Sequence, residues 1–372
     1  MRILYFFQEL GTPMFQWQRT HIIDELERHD CVVEVFNPLL FGSPEEANEK
    51  LLSRVAKGDI DLFFTNVCYE KMLFVDTINY VKNKGIPSLC LRCDNLVIPY
   101  NDKILAPQFD LVWLTARETK HIYDSWGVNT VFAPYAANPY TFIFSQQKIE
   151  RKVSFIGTPY GSRPIMINAL TCNGIGVDAF WGNKPGNHNA VVDIKPRYNI
   201  MQPATIMILL NRLRFREGRL LLKGSILNKL LGRARVIEND YLTRYYAIPP
   251  KDISSYYSKY ALSLASTSTN STDALKDPLK IINLRNFEIP MSGGVEICKY
   301  NPELAEYFVE GKEILFYNNN DELVEMARYY TQRASDKEIL NIKMAARNRA
   351  ERDHTWWNRF SLMFEKLGIA NI

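Results

Sequence analysis

The chain has 372 residues, of which 47% are apolar and 23% charged, and its formal net charge is +4. The length predicts about two domains, and the composition is ordinary for a globular protein with two cores. No apolar run reaches the ~18 residues that a membrane-spanning helix needs, which argues against an integral membrane protein. The opening residues lack a small-residue cleavage site, so we expect no signal peptide.

Strand-like and helix-like runs alternate through the first part of the chain. Apolar strand-like runs occupy residues 2–7, 31–36, 61–65, 87–91, 109–114 and 130–135. Helix-like runs lie between them, at residues 15–29, 44–57, 70–84 and 116–126. Continuously apolar strands between helices are typical of a parallel sheet that is covered on both faces. We therefore predict one doubly wound α/β domain over residues 1–145.

The same alternation starts again at residue 146. Strand-like runs occur at residues 152–157, 177–182, 260–266 and 313–318, and helices follow to the end of the chain. The order breaks at residues 183–250. We predict a second Rossmann-like domain over residues 146–350, with a helical insertion at about 183–250 and a C-terminal helix at 351–372.

The insertion is strongly basic. Residues 195–235 contain ten basic residues and one acidic residue, so this segment carries +9 and the rest of the chain −5. Apolar residues recur between the charges at helical spacing: Ile206, Leu209, Leu210, Leu213, Leu220, Leu227, Leu230 and Leu231. The pattern predicts a basic amphipathic helix pair on an anionic membrane surface, and a helical hairpin packed on the domain is the alternative. Phe215 is the only aromatic residue of the run 205–233, which argues against a nucleic-acid partner.

The six cysteines do not predict a metal site. Only Cys90 and Cys93 form a C-x-x-C pair, and a structural zinc ion needs about four ligands. We expect buried thiols in a reducing cytosol and no bound metal.

Turns that follow strands are the first places to look for a ligand site, because ligands of open α/β sheets bind beyond the carboxyl ends of the strands. The turn "GTPYGSR" follows the strand predicted at 152–157. Gly157 and Gly161 allow backbone N–H groups to approach a phosphate closely, and Arg163 adds a cation. The turn is neither a G-x-G-x-x-G motif nor a P-loop, so an ordinary βα turn is the alternative.

The stretch "LRNFEIPMSGGVEIC", residues 284–298, is the second place. A helix closed by Gly293 would carry Arg285 and Glu288 on one face, because residues three apart are neighbours on a helix. A carboxylate near a strand end can hold the hydroxyls of a ribose. A surface ion pair worth at most ~1 kcal/mol is the alternative.

Several segments, in the same order along the chain, resemble the CgeB-like glycosyltransferases, a branch of the GT-B glycosyltransferases. They are "FDLVWLTARETKHIYDSWGV", "PYAANPYTF", "RKVSFIGTPYGSR", "LRNFEIPMSGGVEI", "PELAEYFVEGKEILFYNNNDELVEMARYY" and "MAARNRAERDHTWWNRF". The resemblance extends over about two-thirds of the chain. It implies the GT-B fold, in which two Rossmann-like domains face each other across a cleft and the C-terminal domain binds a nucleotide-sugar donor.

The resemblance also implies roles for individual residues. Glu288 would accept hydrogen bonds from the ribose hydroxyls. Tyr257 and the polar loop 266–280 would cover the base or the sugar, the loop as a mobile lid. His354 would be either a donor contact or a packing residue. The other predicted donor-binding residues are Arg285, Gly157, Thr158, Arg163, Lys280, Gly293 and Gly294.

The first domain would present the acceptor. An inverting enzyme of this class needs a general base near the acceptor hydroxyl. Asp94 is the first choice, because it follows a strand, and His21 is a weaker choice, because a packing role in a helix is its alternative. Glu9 and Thr12 lie in the first βα turn, on the acceptor side. A retaining enzyme would need no such base.

We therefore predict transfer of a sugar from a nucleotide-sugar to a glycan, lipid-linked or protein acceptor. Cationic side chains can stabilise the leaving group, so we expect neither a metal nor a cofactor. The alternatives are a non-catalytic glycan- or nucleotide-binding or scaffolding module of the same fold and a two-Rossmann enzyme such as a sugar-nucleotide epimerase. The predicted location is cytoplasmic, on the inner face of the membrane if the basic segment binds lipid.

Overall fold

The structure is a computed structural model that describes residues 1–11, 13–93, 95–96, 99–182, 203–232 and 235–369. The chain divides into two compact units. The first comprises Met1–Tyr135 and Trp356–Ile372, and the second comprises Ala136–Thr355. No helix in the described part is long and apolar enough to cross a bilayer.

The first unit is built on a six-stranded, fully parallel sheet of order β2-β1-β3-β4-β5-β6. Its strands are β1 (Arg2–Phe6), β2 (Val32–Phe36), β3 (Leu62–Thr65), β4 (Ser88–Arg92), β5 (Leu111–Leu114) and β6 (Thr130–Phe132). The central strands are buried along their length because helices cover both faces, which explains their unbroken apolar sequences. All six strands lie within or beside the predicted runs.

The helices of the first unit connect these strands. They are α1 (Pro13–Gln18), α2 (Asp24–Arg28), α3 (Pro44–Ala56), α4 (Val75–Asn83) and α5 (Lys120–Asp124). A π-helical turn, Arg19–Ile23, joins α1 to α2. The start of α3 shows why helices begin where they do: the Ser43 hydroxyl accepts a hydrogen bond from the Glu46 amide, and Pro44 occupies the first turn.

The second unit repeats the architecture with a parallel sheet of order β12-β11-β10-β7-β8-β9. Its strands are β7 (Glu150–Ile156), β8 (Val177–Phe180), β9 (Leu242–Tyr245), β10 (Tyr260–Leu264), β11 (Glu296–Lys299) and β12 (Leu315–Tyr317). Strand β9 falls inside residues 183–250, where no strand was predicted. The described part of the segment 183–250 therefore supplies an edge strand in addition to its helices.

Seven helices accompany this second sheet in the described part of the unit. They are α6 (Arg163–Thr171), α7 (Pro203–Leu213), α8 (Arg216–Leu230), α9 (Ile253–Lys259), α10 (Arg285–Met291), α11 (Asn320–Gln332) and α12 (Asp336–Asp353). The core lies between the sheet and helices α6 and α11. Helices α7 and α8 confirm the predicted helix pair.

The last helix, α13 (Trp356–Lys366), belongs to the first unit, not to the second or to a separate segment. Its aromatic side chains explain this: the ring centroids of Trp356 and Phe360 lie 5.9 and 5.5 Å from that of Trp113 on β5. The boundary between the units falls after Tyr135, earlier than the predicted residue 145.

Candidate functional site

The turn after β7 has a backbone that needs glycine at two positions. Gly157 has φ +130° and Gly161 has φ +65°, a region that side chains disfavour. A Cβ atom at Gly161 would lie 2.2 Å from the Asn270 carbonyl oxygen. The Ser162 amide donates a hydrogen bond to that same oxygen at 3.0 Å. The turn is therefore fixed against the loop 266–280.

Arg285 at the start of α10 reaches the same turn. A Cβ atom at Gly157 would lie 2.4 Å from its Nη2 atom, so the guanidinium group lies against the Gly157 backbone. The start of α10 is fixed by Asn283, whose amide donates to Asn286 Oδ1 at 2.6 Å and whose side chain donates to the Ser266 carbonyl at 2.7 Å. These bonds set the direction in which Arg285 leaves the helix.

Arg163 brings a second guanidinium group to this place. It stacks on the Tyr160 ring at 4.2 Å and donates a hydrogen bond to the Thr158 carbonyl at 2.9 Å. Burial, together with the nearby charge of Arg285, lowers the pKa of Arg163 to about 10. Neither arginine forms a salt bridge with a residue that the structure describes. The two cations therefore leave a local excess of positive charge.

Glu288 lies one turn along α10 from Arg285. Burial raises the pKa of its carboxyl group to about 7, although the charge of Arg285 lowers it. Tyr257 on α9 is buried, and its hydroxyl lies near Arg285. Burial raises the pKa of this phenol as well. The predicted pair Arg285 and Glu288 is thus a partly buried pair beside a strand end, not an exposed surface pair.

A small pocket lies beside Arg163 and Arg285, at the carboxyl ends of β7 and β10. It is lined by Phe155, Arg163, Leu264, Ala265, Ser266, Asn283 and Arg285. The sequence prediction did not name Tyr160 or Asn283, and it included Ser266 only as part of the loop 266–280. Tyr160 and Asn283 lie three and two positions before the predicted arginines, so proximity along the chain was the available signal.

Three predicted donor residues have other surroundings. The Lys280 ammonium lies over the Tyr300 ring at 5.5 Å from the centroid, and no contact with Arg285 accompanies it in the described structure. Gly293 and Gly294 end α10, where their amides donate to the Pro290 and Ile289 carbonyls. They lie at the opposite end of α10 from Arg285, so their role is to turn the chain towards β11.

The first part of the loop 266–280, which was predicted as a mobile lid with an ordinary surface loop as the alternative, is buried. Thr267, Ser268 and Thr272 are buried. Thr267 donates to the Lys299 carbonyl at 2.7 Å and Ser268 to the Asp273 carboxylate at 2.6 Å. The hydroxyl groups form bonds within the protein, which is why a sequence of this polarity packs below the surface.

His354 packs within the second unit. Its Nε2 atom lies 3.1 Å from the Tyr307 carbonyl oxygen, and its ring contacts those of Phe287 and Phe308. These contacts favour the packing role over a donor contact. Among the described residues, no three His, Cys, Asp or Glu side chains are grouped so that they could hold a metal ion.

The predicted residues of the first unit are only partly described. Asp94 and Thr12 lie outside the residues that the structure describes. Glu9 forms an ion pair with Arg19, with distances of 2.8 and 3.2 Å to its two carboxylate oxygens. His21 is buried, and its ring centroid lies 4.9 Å from that of Trp17, which favours the packing role.

A comparison with known protein families finds a match for part of the chain. Residues 216–365 match the model of a family described as glycosyl transferase-like. This segment contains Arg285 and Glu288. The narrower CgeB-like assignment stays a prediction. The sequence matches no curated protein.

Solved structures with this fold align over the whole chain at low sequence identity. Sucrose-phosphate synthase from Thermosynechococcus elongatus aligns with a TM-score of 0.58 at 13% identity, covering 100% of both chains. An α-glucosyltransferase in complex with UDP and DNA aligns with a TM-score of 0.59 at 13% identity, covering 99% of both chains. HepE from Anabaena, in complex with UDP and glucose, aligns with a TM-score of 0.56 at 12% identity, covering 100% of both chains. The chain thus has the GT-B fold and is a glycosyltransferase, and its residues 216–365 match the glycosyl transferase-like family.

Proposed function

We propose that this glycosyltransferase takes its sugar from a nucleotide-sugar donor bound in the second unit. The observation that carries the proposal is the pair Arg163 and Arg285, two partly buried cations without a salt-bridge partner in the described structure, with Glu288 beside them. A nucleoside diphosphate combines charged phosphates with a ribose diol. Two arginines and one carboxylate match both parts of such a ligand.

Each residue has a distinct role in this proposal. Arg163 and Arg285 bind the diphosphate, because a planar guanidinium can donate two parallel hydrogen bonds to phosphate oxygens. Gly157 leaves room for the Arg285 guanidinium, which a side chain at this position would displace. Glu288 accepts hydrogen bonds from the ribose hydroxyls, which requires its ionised form.

The same cations serve the reaction. When the bond between sugar and phosphate breaks, negative charge develops on the departing nucleoside diphosphate. Arginines already positioned at that charge stabilise the transition state more than the ground state. We propose that this suffices without a bound metal or cofactor, and that activity is therefore unchanged by a chelator.

The ligands bound in similar structures support a uridine donor as the first to test. HepE is described in complex with UDP-glucose, and the α-glucosyltransferase in complex with UDP. The acceptor we propose is a glycan, lipid-linked or protein substrate in the cytoplasm. Among the predicted acceptor-side groups, Asp94 stays the first choice of base, because Glu9 is paired with Arg19 and His21 is buried against Trp17.

The test is donor turnover. We would incubate the protein with UDP-, GDP-, dTDP- and CDP-sugars and follow release of the nucleotide, with and without EDTA. We expect one nucleotide class to be released, release to be lost in Glu288→Ala, and EDTA to have no effect. Tight nucleotide binding without turnover would favour the non-catalytic module, and conversion of the sugar without nucleotide release would favour the epimerase.

A further inference from the structure

Helices α7 and α8 leave a cluster of large apolar side chains exposed. Met207 is 67% exposed, Ile226 61% and Leu230 78%. Single apolar residues on a surface are ordinary, whereas a cluster on two adjoining helices marks a site of interaction. The members of this cluster are Ile206, Met207, Leu210, Leu213, Ile226, Leu230 and Leu231.

The apolar residues are exposed because α8 packs on the second unit through its other face. That buried face consists of Glu217, Gly218, Leu221, Gly224 and Asn228, most of them small or polar. A Cβ atom at Gly224 would lie 3.0 Å from the Ser271 carbonyl oxygen. The helix thus uses a close, glycine-mediated contact for packing, which does not need its exposed leucine and isoleucine residues.

The helix pair also has an excess of positive charge. Residues 203–232 contain six basic residues and one acidic residue, a net formal charge of +5, and the acidic residue, Glu217, is buried. Arg219, Lys223, Ile226 and Leu230 follow one another at helical spacing on the exposed face of α8. Cations and aliphatic side chains therefore share one face of this helix.

We propose that α7 and α8 bind an anionic membrane surface, with the apolar side chains among the acyl chains and the basic side chains at the lipid headgroups. Anionic lipid is complementary to the net charge, and each Lys or Arg at such a surface strengthens binding. Aliphatic side chains favour lipid over nucleic acid, because nucleic-acid surfaces use aromatic stacking and Phe215, the one aromatic residue here, is partly buried.

This surface is connected to the donor site. Asn228 on α8 donates hydrogen bonds to the Gly161 carbonyl at 3.1 Å and to the Ser271 hydroxyl at 3.3 Å. Gly161 belongs to the turn that carries Arg163. Lipid binding by α8 would therefore hold the donor turn near the membrane, which, resting on the proposed function, favours a lipid-linked acceptor.

The experiment is co-sedimentation with vesicles, without donor or acceptor. We expect binding to an equal mixture of phosphatidylglycerol and phosphatidylcholine, none to phosphatidylcholine alone, and weaker binding at high salt. Replacing Arg219 and Lys223 by Gln should weaken binding roughly 25-fold, at about fivefold for each lost cation. Met207→Ser with Leu230→Ser should weaken it about tenfold or more at every salt concentration.

Matched controls lie on α12, where Lys337 and Met344 are exposed away from the helix pair. Lys337→Gln with Met344→Ser should bind vesicles like the wild type, and thermal melting establishes that each variant is folded. Equal binding of all variants, no binding to the anionic vesicles, or preferential binding of duplex DNA would each overturn the proposal. Because no sugar donor is present, such a failure leaves the proposed sugar transfer untouched.

Discussion

The guanidinium group of Arg285 lies against the backbone of Gly157, so close that a Cβ atom on Gly157 would be 2.4 Å from Nη2. The two residues are far apart in the sequence of the second unit: Gly157 follows β7, and Arg285 begins α10. Their contact joins the two βα connections that build the candidate donor site. Arg285 can occupy this position only because residue 157 has no side chain.

We expect Gly157→Ala to displace Arg285 and to strain the backbone at φ +130°. The strain should cost about 1–3 kcal/mol of unfolding free energy. Loss of the positioned cation should weaken nucleoside diphosphate binding roughly tenfold or more. Denaturant unfolding measures the loss of stability, and calorimetric titration measures the loss of nucleotide affinity.

A second glycine provides the control for this variant. Gly311 also has a positive φ, +74°, but an added Cβ would meet no described atom within 4 Å. Gly311→Ala should therefore lower stability without changing nucleotide affinity. If Gly157→Ala bound nucleotide like the Gly311 variant, the contact with Arg285 would have no part in binding.

Arg163 should contribute to the affinity for phosphate through both its charge and its shape. Its guanidinium is already oriented by the Tyr160 ring and the Thr158 carbonyl. Arg163→Met should weaken nucleotide binding about 10- to 100-fold. The affinity of Arg163→Lys should lie between those of the wild type and Arg163→Met, because an ammonium keeps the charge but cannot donate two parallel bonds. The control is Arg333→Met, an exposed arginine at the end of α11. Equal affinities for all three variants would remove Arg163 from the site.

The raised pKa of Glu288 predicts a pH dependence of stability. The folded protein titrates this group at about 7, against 4.5 for the free side chain, so it binds an additional proton between these values. The stabilising contribution of protonated Glu288 is complete below about pH 4.5 and is lost as the pH rises through about 7. As the pH rises through this range, the wild type should lose up to about 3 kcal/mol of unfolding free energy relative to Glu288→Gln. Solvent screening reduces this loss.

Urea unfolding of both proteins at about pH 5 and about pH 8 measures this difference. Glu296, whose pKa burial raises to about 8, is present in both proteins and cancels in the comparison. The same titration should make nucleotide binding by the wild type strengthen between these pH values more than binding by Glu288→Gln. Identical pH profiles for the two proteins would show that Glu288 is not buried as described.

A buried ion pair in the first unit should be important for folding. Asp102 is fully buried, and Arg92 donates to both of its carboxylate oxygens at 2.7 and 2.8 Å. Asp102→Asn would leave the charge of Arg92 buried without a counter-charge, at a cost of about 3–5 kcal/mol. The exposed pair of Lys120 and Asp124 is the comparison, and Asp124→Asn should cost less than about 1 kcal/mol. Denaturant unfolding of both variants measures the two losses of unfolding free energy. Equal losses would contradict the prediction.

Much of the fold could be predicted because strands buried on both faces require unbroken apolar runs. The edge strand β9 could not, because three of its four residues, 243–245, are exposed and its sequence is not apolar. The burial of the first part of the loop 266–280 could not be predicted either. Its hydroxyl groups bond to backbone carbonyls and to the Asp273 carboxylate, and composition does not reveal which polar groups have partners.

In the candidate site, contacts within one helix could be predicted from the sequence, whereas contacts between distant segments could not. Arg285 and Glu288 were predicted together because their spacing on a helix places them on one face. The contact of Arg285 with Gly157 depends on how the sheet assembles, so no spacing within the sequence indicates it. Likewise, Lys280 is close to Arg285 in sequence, yet its ammonium lies on the Tyr300 ring.

The most direct test of the donor site is a thermal-shift panel with UDP, GDP, dTDP, CDP and CMP. It compares the wild type with the double variant Arg163→Met and Arg285→Met. A nucleotide at ~100 times its Kd should stabilise the wild type by about 2.7 kcal/mol, which raises the Tm by about 5–10 °C. We predict this shift with one nucleoside diphosphate in the wild type and its absence in the double variant. A shift of equal size in both proteins, or none with any nucleotide, would contradict a nucleotide site at Arg163 and Arg285.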